Sequence, residues 1–453
     1  MKPVWLVLPD PFSSRLFFDT GIVADLRERL GERLELFLLD TSEHENAWSE
    51  RAGDARVTRA SDLNAPHRGM PEKAFRRVDQ WLDRRVGFYP LSLRQSLREG
   101  FNQGRMQPGH NNWFLDPELA GPLPLKVPVD PALKRWHYGR LRYISPLLLR
   151  RLRSEQPAVV LANIQMHAVV PFIVGARRLG LPLVGHVASW DHTVGKGIVP
   201  PHLQRYIVQN EVMREDLVRY HGIDSDRIVV TGWPQTDVFY RKRPREEYEQ
   251  VVRALGLDPS RPVVLVMGNT PTNAPYEKRF VERLVAWWEE SGAVSVFSLL
   301  FRPHPRDREW RERFAPALFR EGAAVQEPSF TDLDTLAALL QHGECVVTNA
   351  GTILLDALVN DRPTVCVLYD EGAPAGESWA VKNVSGEHYR QLMASDAFYR
   401  AGRFEDVVAG IEHGLAQPDE LAQERARAAR EVVGDVDGRA AARVVDAVVS
   451  AVD

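Results

Sequence analysis

Three short segments carry the residue types that handle phosphate. The first runs Val346-Val347-Thr348-Asn349-Ala350-Gly351-Thr352 and then turns apolar again through Leu354, Leu355, Ala357 and Leu358. A buried strand followed by a helix start presents backbone amides and the positive end of a helix dipole, which bind phosphate. Thr348, Asn349, Gly351 and Thr352 would line that loop. Gly351 would admit a phosphate against the backbone, and Thr352 would offer a hydroxyl. Asp356, about one helical turn in, would reach a ribose or brace a neighbouring loop. The plain alternative is an ordinary strand–helix turn with a capping threonine. The second segment, Gly268-Asn269-Thr270, is another small polar loop behind an apolar run. The third is Arg302-Pro303-His304-Pro305, in which two prolines stiffen a pair of donors. A departing diphosphate needs such donors. Arg302 is thus a candidate for donor binding, and His304 for donor binding and catalysis.

A second group lies earlier in the chain. Ser189-Trp190-Asp191-His192 follows the apolar run Leu183–Val187, and Lys196 is close behind. A carboxylate at a strand end can take the proton of an acceptor hydroxyl. Asp191 leads for that role, with Asp19 and Asp10 as competitors after the first apolar run. Ser189, His192, Lys196 and Asp10 would then belong to the acceptor side. Helix capping is the plain alternative for each carboxylate. The triplets Asp224–Asp226, Asp332–Asp334 and Asp435–Asp437 sit in turns, at a helix start and in the tail, so they read as turns and caps. No metal site and no cofactor are expected; a nucleotide-activated donor would enter as substrate.

These residues need elements to hold them. Val4–Leu8, Leu34–Leu39, Ala158–Ala162, Leu183–Val187, Arg205–Val208 and Arg227–Thr231 read as strands. Helices are expected between them, from near Asp19 to Leu30, over His167–Leu179 and over Glu211–Tyr220. The pattern restarts after the charged stretch Arg241–Glu247, with strands at Pro262–Met267, Val294–Phe301, Ala323–Glu327, Glu344–Thr348 and Pro363–Leu368. Helices are expected over Glu277–Ser291, from a cap at Thr331 or Asp332 to Gln341, and from Thr352 to Val359. Alternation of this kind predicts an α/β protein with two Rossmann-like doubly wound domains facing across a cleft, loops and ligands at the strands' carboxyl ends. The expected domains are 1–242 with a helical insertion at about 42–150, then 243–430, then a helix at 431–453 that crosses back to the first domain. Within the insertion, Glu72–Arg85 and Leu91–Phe101 read as helices.

Composition narrows the function. The 453 residues are 44% hydrophobic and 26% charged, which excludes a mostly disordered or collagen-like chain. A net charge of −4 argues against general nucleic-acid binding. From Arg51 to Ser145, however, 17 Lys and Arg stand against 9 Asp and Glu, with Pro, Trp, Phe and Tyr interleaved. Such a segment could meet an anionic membrane or a phosphate-bearing acceptor; the plain alternative is a solvated helical insertion. Cys345 and Cys366 lie in apolar runs and read as buried small hydrophobes. No apolar run approaches a membrane span, and the N-terminus lacks the apolar core of a signal peptide. The expectation is a cytoplasmic protein, peripheral to the inner membrane face if the basic segment meets lipid and free of it if that segment is a solvated insertion.

Ser189-Trp190-Asp191-His192 with Lys196-Gly197, the run Val230–Phe239, Arg302–Pro305, and Val347–Thr352 with Asp356, Arg362-Pro363 and Tyr369-Asp370 together resemble the GT-B superfamily of glycosyltransferases. More narrowly, they resemble the branch holding the CDP-glycerol glycerophosphotransferases of teichoic acid synthesis and related surface-polysaccharide transferases. Asp437–Arg443 resembles that branch's closing helix. The resemblance covers about residues 155–450. It implies a nucleotide donor held mainly by the second lobe, the donor-contacting histidine at His304 and the diphosphate loop at Thr348–Thr352. One departure is plain: the branch's usual Asp-Tyr-Ser-Ser run is here Asn349-Ala350-Gly351-Thr352, with two hydroxyls and an acid lost. The loop is closer to that of a sugar-nucleotide transferase or epimerase.

The expected function is metal-independent transfer of a sugar from a nucleotide-diphosphate donor to a saccharide or lipid-linked acceptor. Transfer of a polyol phosphate, with CMP leaving, is the first alternative. A non-hydrolysing UDP-GlcNAc 2-epimerase is another, but its usual Arg-x-x-Thr-Glu-Arg-Pro-Glu stretch has no counterpart at Tyr369–Pro374. A non-catalytic saccharide-binding protein is the third.

Overall fold

A computed structural model describes residues 2–39, 45–63, 146–195, 199–200 and 202–453. The helices expected within 64–145, most of the basic segment, and Lys196 lie outside the described residues. Those described divide into two units. One takes the chain up to Asp237 and returns for Gly434–Asp453; the other takes Val238–Val433. The sequence reading set these breaks at 242/243 and 430/431.

The first unit is built on a seven-stranded sheet in the order β3-β2-β1-β4-β5-β6-β7. Its strands are β1 (Val4–Leu8), β2 (Leu34–Leu38), β3 (Arg56–Arg59), β4 (Ala158–Leu161), β5 (Leu183–His186), β6 (Arg205–Val208) and β7 (Ile228–Val230). All pairs are parallel; Val4 stands opposite both Leu34 and Ala158. The centre of the sheet explains its sequence. A strand covered on both faces has no polar side, and β1 reads Val-Trp-Leu-Val-Leu with every residue buried.

The first helical stretch differs from expectation. In place of one helix starting near Asp19 there are two, α1 (Pro11–Asp19) and α2 (Ile22–Leu30). Asp10 in extended backbone followed by Pro11 is a helix start, because proline's fixed φ and missing N–H suit the first position. Gly21, at φ +85°, makes the left-handed joint between the two. Further on come α3 (Glu45–Arg51), α4 (Pro146–Glu155), α5 (Val170–Leu179) and α6 (Glu211–His221).

The second unit repeats the plan with six parallel strands in the order β10-β9-β8-β11-β12-β13. They are β8 (Val263–Met267), β9 (Ser298–Arg302), β10 (Ala323–Val325), β11 (Cys345–Thr348), β12 (Thr364–Val367) and β13 (Tyr399–Ala401). Around them lie α7 (Arg245–Ala254), α8 (Glu277–Glu290), α9 (Leu333–His342), α10 (Ile353–Val359), α11 (Trp379–Asn383), α12 (Phe404–Ala416) and α13 (Ala422–Val432). One face of the sheet packs Phe280, Leu284 and Trp288 of α8 against Ile411 of α12; the other packs Tyr248 and Val252 against Leu336 and Leu340. Both cysteines are free and buried.

The last helix, α14 (Ala440–Val452), belongs to the first unit and lies along α2. Arg29 pairs with Asp446, and Arg33 with Asp453 at 2.8 Å. Its first turn is capped from far away. Both carboxylate oxygens of Asp237 accept backbone N–H groups, from Ala440 at 3.1 Å and Ala441 at 2.7 Å. No helix among the described residues is long and apolar enough to cross a membrane.

Candidate functional site

In both units the strand order reverses beside the first strand, so each sheet has a switch point where ligands bind doubly wound folds. In the second unit it lies between β8 and β11. There the Thr348 hydroxyl donates to the Met267 carbonyl at 3.1 Å. Gly268, Asn269 and Thr270 leave β8, Asn349–Thr352 leave β11, and His304 follows β9.

The loop after β8 is tightly held. A Cβ on Gly268 would stand 2.7 Å from the Phe314 ring and 3.3 Å from the Pro303 backbone, so glycine is required sterically. Behind it Arg313 is buried between Glu277, at 2.6 Å, and Asp307. The guanidinium also donates to the carbonyls of Asn269 and Ala274, both at 2.9 Å, while the Asn269 amide donates to Glu277. Burial pushes the Glu277 carboxyl up to about 7 against the pull of Arg313. One ion cluster thus ties the β8 loop to the chain following His304. Asn269 accepts from the Thr270 amide, and the Thr270 hydroxyl lies 3.1 Å from that of Thr272.

Arg302 is not an open donor. It pairs with Asp332 at 2.7 Å and with Gln326, and is 9% exposed. Asp332 stands at the start of α9 but makes no side-chain cap bond there; the expected cap is replaced by this ion pair. His304 differs. Its Nδ1 accepts the Arg306 amide at 3.0 Å. A neutral imidazole accepting at Nδ1 carries its proton on Nε2, so the ring is a fixed Nε2–H donor.

Asn349 is a cross-link. Its amide donates to Val367 at 2.7 Å and to Ala380 at 3.1 Å, and its oxygen accepts from Asn383 at 2.6 Å. Asn383 also donates to the Asn273 carbonyl, closing a ring around the loops of β8, β11 and β12. The Gly351 amide, expected to face a phosphate, donates to the Tyr389 hydroxyl at 2.6 Å. Gly351 has φ +103° and open space where a Cβ would stand. Thr352 holds the cap position of α10 without a side-chain cap bond. Asp356 is 2% exposed, inside the fold and not on the loop surface.

In the first unit the switch point lies between β1 and β4. Asp10 bridges it, accepting from the amides of Phe12 and Ser13, from the Ser13 hydroxyl at 2.6 Å and from Asn163 at 3.3 Å. Four donors make it a cap and a brace. Asp19 is not brought to this edge. It ends α1, roughly 12 Å further along the helix by the usual rise, and pairs with Arg51 at 2.6 Å. The β5 loop is close by: Gln165, whose amide donates to Asn163, reaches the His192 carbonyl at 2.9 Å. In that loop the Ser189 hydroxyl donates to Asp191 at 2.5 Å.

Two further histidines, unmarked by any motif, hold this region. His221 accepts the Val199 amide at Nδ1 and donates from Nε2 to the Thr193 carbonyl at 2.7 Å, clasping both ends of the chain around Lys196. His186, fully buried, donates from Nδ1 to the Ala162 carbonyl, and burial drives it down to about 4. Among the described residues no three His, Cys, Asp or Glu side chains gather as a metal site requires.

Two Rossmann-like units in one chain, each with loops gathered at a switch point, define the GT-B class of transferase folds. Residues 201–450 match the model of the CDP-Glycerol:Poly(glycerophosphate) glycerophosphotransferase family, and the chain belongs to that family. It is a transferase of glycosyl or polyol-phosphate type. No curated protein matches it in sequence. Among solved structures it is similar to UDP-GlcNAc 2-epimerase from Neisseria meningitidis bound to UDP-GlcNAc, with TM-score 0.55 and 10% identity over 99% of this chain and 100% of that one. S. aureus MnaA with UDP gives 0.56 and 12% over 99% and 96%. The wall teichoic acid polymerase TagF gives 0.40 and 18% over 55% and 58%. The two full-length likenesses show the fold.

Proposed function

We propose that the protein moves a sugar from a nucleotide-diphosphate donor to a hydroxyl of a saccharide or lipid-linked acceptor, without a metal. The observation that carries this is the fixed Nε2–H of His304 at the carboxyl edge of the second sheet. A donor there stabilises charge as it builds on a leaving phosphate. Asp191 takes the acceptor proton, the new bond forms from the acceptor oxygen to the sugar's anomeric carbon, and the bond from that carbon to the diphosphate breaks. Ser189 and His192 belong to the acceptor side. The loops at Gly268–Thr270 and Thr348–Thr352 hold the donor. Asp19, paired with Arg51 away from this edge, drops out as the base.

Family membership favours a second reading, transfer of a polyol phosphate. The acceptor oxygen then attacks phosphorus, the bridging P–O bond breaks and CMP leaves. The single hydroxyl of Asn349–Thr352, at Thr352, supports the sugar reading instead.

A thermal-shift panel of UDP, CDP, GDP, ADP, CMP and CDP-glycerol tests this. A ligand at 100 times its dissociation constant adds about 2.7 kcal/mol. A shift with one nucleoside diphosphate supports sugar transfer and names the base. A shift confined to CMP, CDP and CDP-glycerol supports polyol-phosphate transfer. No shift with any refutes both, and activity lost in EDTA refutes metal independence.

A further inference from the structure

The Lys382 ammonium stands 3.8 Å over the ring of Trp379. The two are three residues apart on α11 and share a face. Trp379 is 4% exposed, so its indole is a fixed floor. Burial draws the lysine down to about 8, and it is the sole cause, with no acidic side chain contributing. Among the described residues this half-buried ammonium has an aromatic partner and no carboxylate, so its charge is only partly compensated. Two buried cations of the same unit do have carboxylates, Arg302 with Asp332 and Arg313 with Glu277.

The position of α11 gives the missing anion a source. Four hydrogen bonds fasten this short helix to the loops at the carboxyl edge. The Ala380 amide donates to Asp370 at 3.0 Å, and the Ala380 carbonyl accepts from Asn349 at 3.1 Å. Asn383 donates to Asn349 at 2.6 Å and to the Asn273 carbonyl at 2.8 Å. Lys382 is therefore carried by a segment fixed to the loops of β8 and β11.

We infer that Lys382 is a phosphate contact of the donor, its ammonium supplying the countercharge to the diphosphate beside the Asn349–Thr352 loop. The inference rests on the donor-site reading and adds to it a cation that no strand-end motif marks. Lysine suits the task as a compact point charge.

The test is calorimetric titration of the full chain with UDP, CDP and the matching nucleosides, using wild type, Lys382→Met and Lys382→Arg. The expected result is a loss of about 10- to 100-fold for the diphosphate in Lys382→Met, the worth of a charge-assisted hydrogen bond. Nucleoside affinity should hold within about twofold, and Lys382→Arg should recover most of the loss, since it restores the charge. Unchanged diphosphate affinity in Lys382→Met overturns the inference, as does an equal loss for nucleoside and diphosphate, which marks a packing role. Wild type that binds no nucleotide overturns the donor-site reading and this inference with it.

Discussion

The side chain of Thr348 joins two strands at their ends: its hydroxyl donates to the carbonyl of Met267 at 3.1 Å. The two residues are register partners in β11 and β8, the strands flanking the switch point of the second sheet. The bond therefore fixes the spacing of the loops proposed to hold the donor. Thr348→Val keeps the shape and removes the donor. It should lower the unfolding free energy by about 1 kcal/mol, read by urea denaturation, with the parallel pairing unchanged.

His304 separates catalysis from binding. His304→Ala should cut turnover by roughly 10²- to 10³-fold, the cost of one lost donor to a developing anion. Calorimetry should find nucleotide affinity largely kept. A variant as active as wild type removes His304 from the mechanism.

Asp191→Asn leaves the Ser189 hydroxyl an acceptor but cannot take a proton. A drop in turnover of roughly 10²- to 10⁴-fold with donor affinity unchanged is expected if Asp191 is the base. The same drop in an Asp10→Asn variant, with Asp191→Asn active, would transfer the role to the carboxylate at the β1 edge.

Glu277 predicts a pH dependence of stability. Its carboxyl titrates near 4.5 in the unfolded chain and at about 7 in the buried cluster with Arg313. Between those values the native state holds a proton that the unfolded chain has released, so stability falls as pH rises across the window and levels off above it. Glu277→Gln has no such proton. Its stability relative to wild type should improve with rising pH, by up to ~3 kcal/mol. Denaturation curves at about pH 5 and pH 7.5 would show this; a constant difference would contradict it.

Gly268→Ala should fail on packing. Its methyl would press the Phe314 ring at 2.7 Å and the Pro303 backbone at 3.3 Å. A loss of about 1–3 kcal/mol is expected, as for overpacking elsewhere.

Much of this architecture was legible because a parallel sheet leaves its mark in composition. Val263–Met267 and Cys345–Thr348 are buried on both sides and read as unbroken apolar runs. The short edge strands β3 and β13 were not, since Arg56–Arg59 and Tyr399–Ala401 are partly exposed and short. The start of α1 is marked in the sequence by Asp10-Pro11, while Asp19, which also has the residue type of a cap, ends that helix. Within the site, motif positions were legible and their partners were not. Arg302 reads as an open cation until Asp332, 30 residues on, is found beside it. Asn349 reads as a loop residue until Asn383 closes on it. Contacts between distant loops have no local signature, which is why Glu277, Arg313, His221, Tyr389 and Lys382 emerged only from the fold.

The helix Ala440–Val452 sets an order of events at the ribosome. Its cap, Asp237, is made more than 200 residues before the amides it receives. Everything between them, apart from a few joining residues, builds the second unit. That unit can close while α2 still lacks its cover, because domains fold as they emerge. The nascent first unit therefore waits, with the apolar flank of α2 bare, through the whole translation of its neighbour. Chaperone dependence should concentrate in that interval, and shortening it by circular permutation, with the last helix moved to the front, should relieve the dependence.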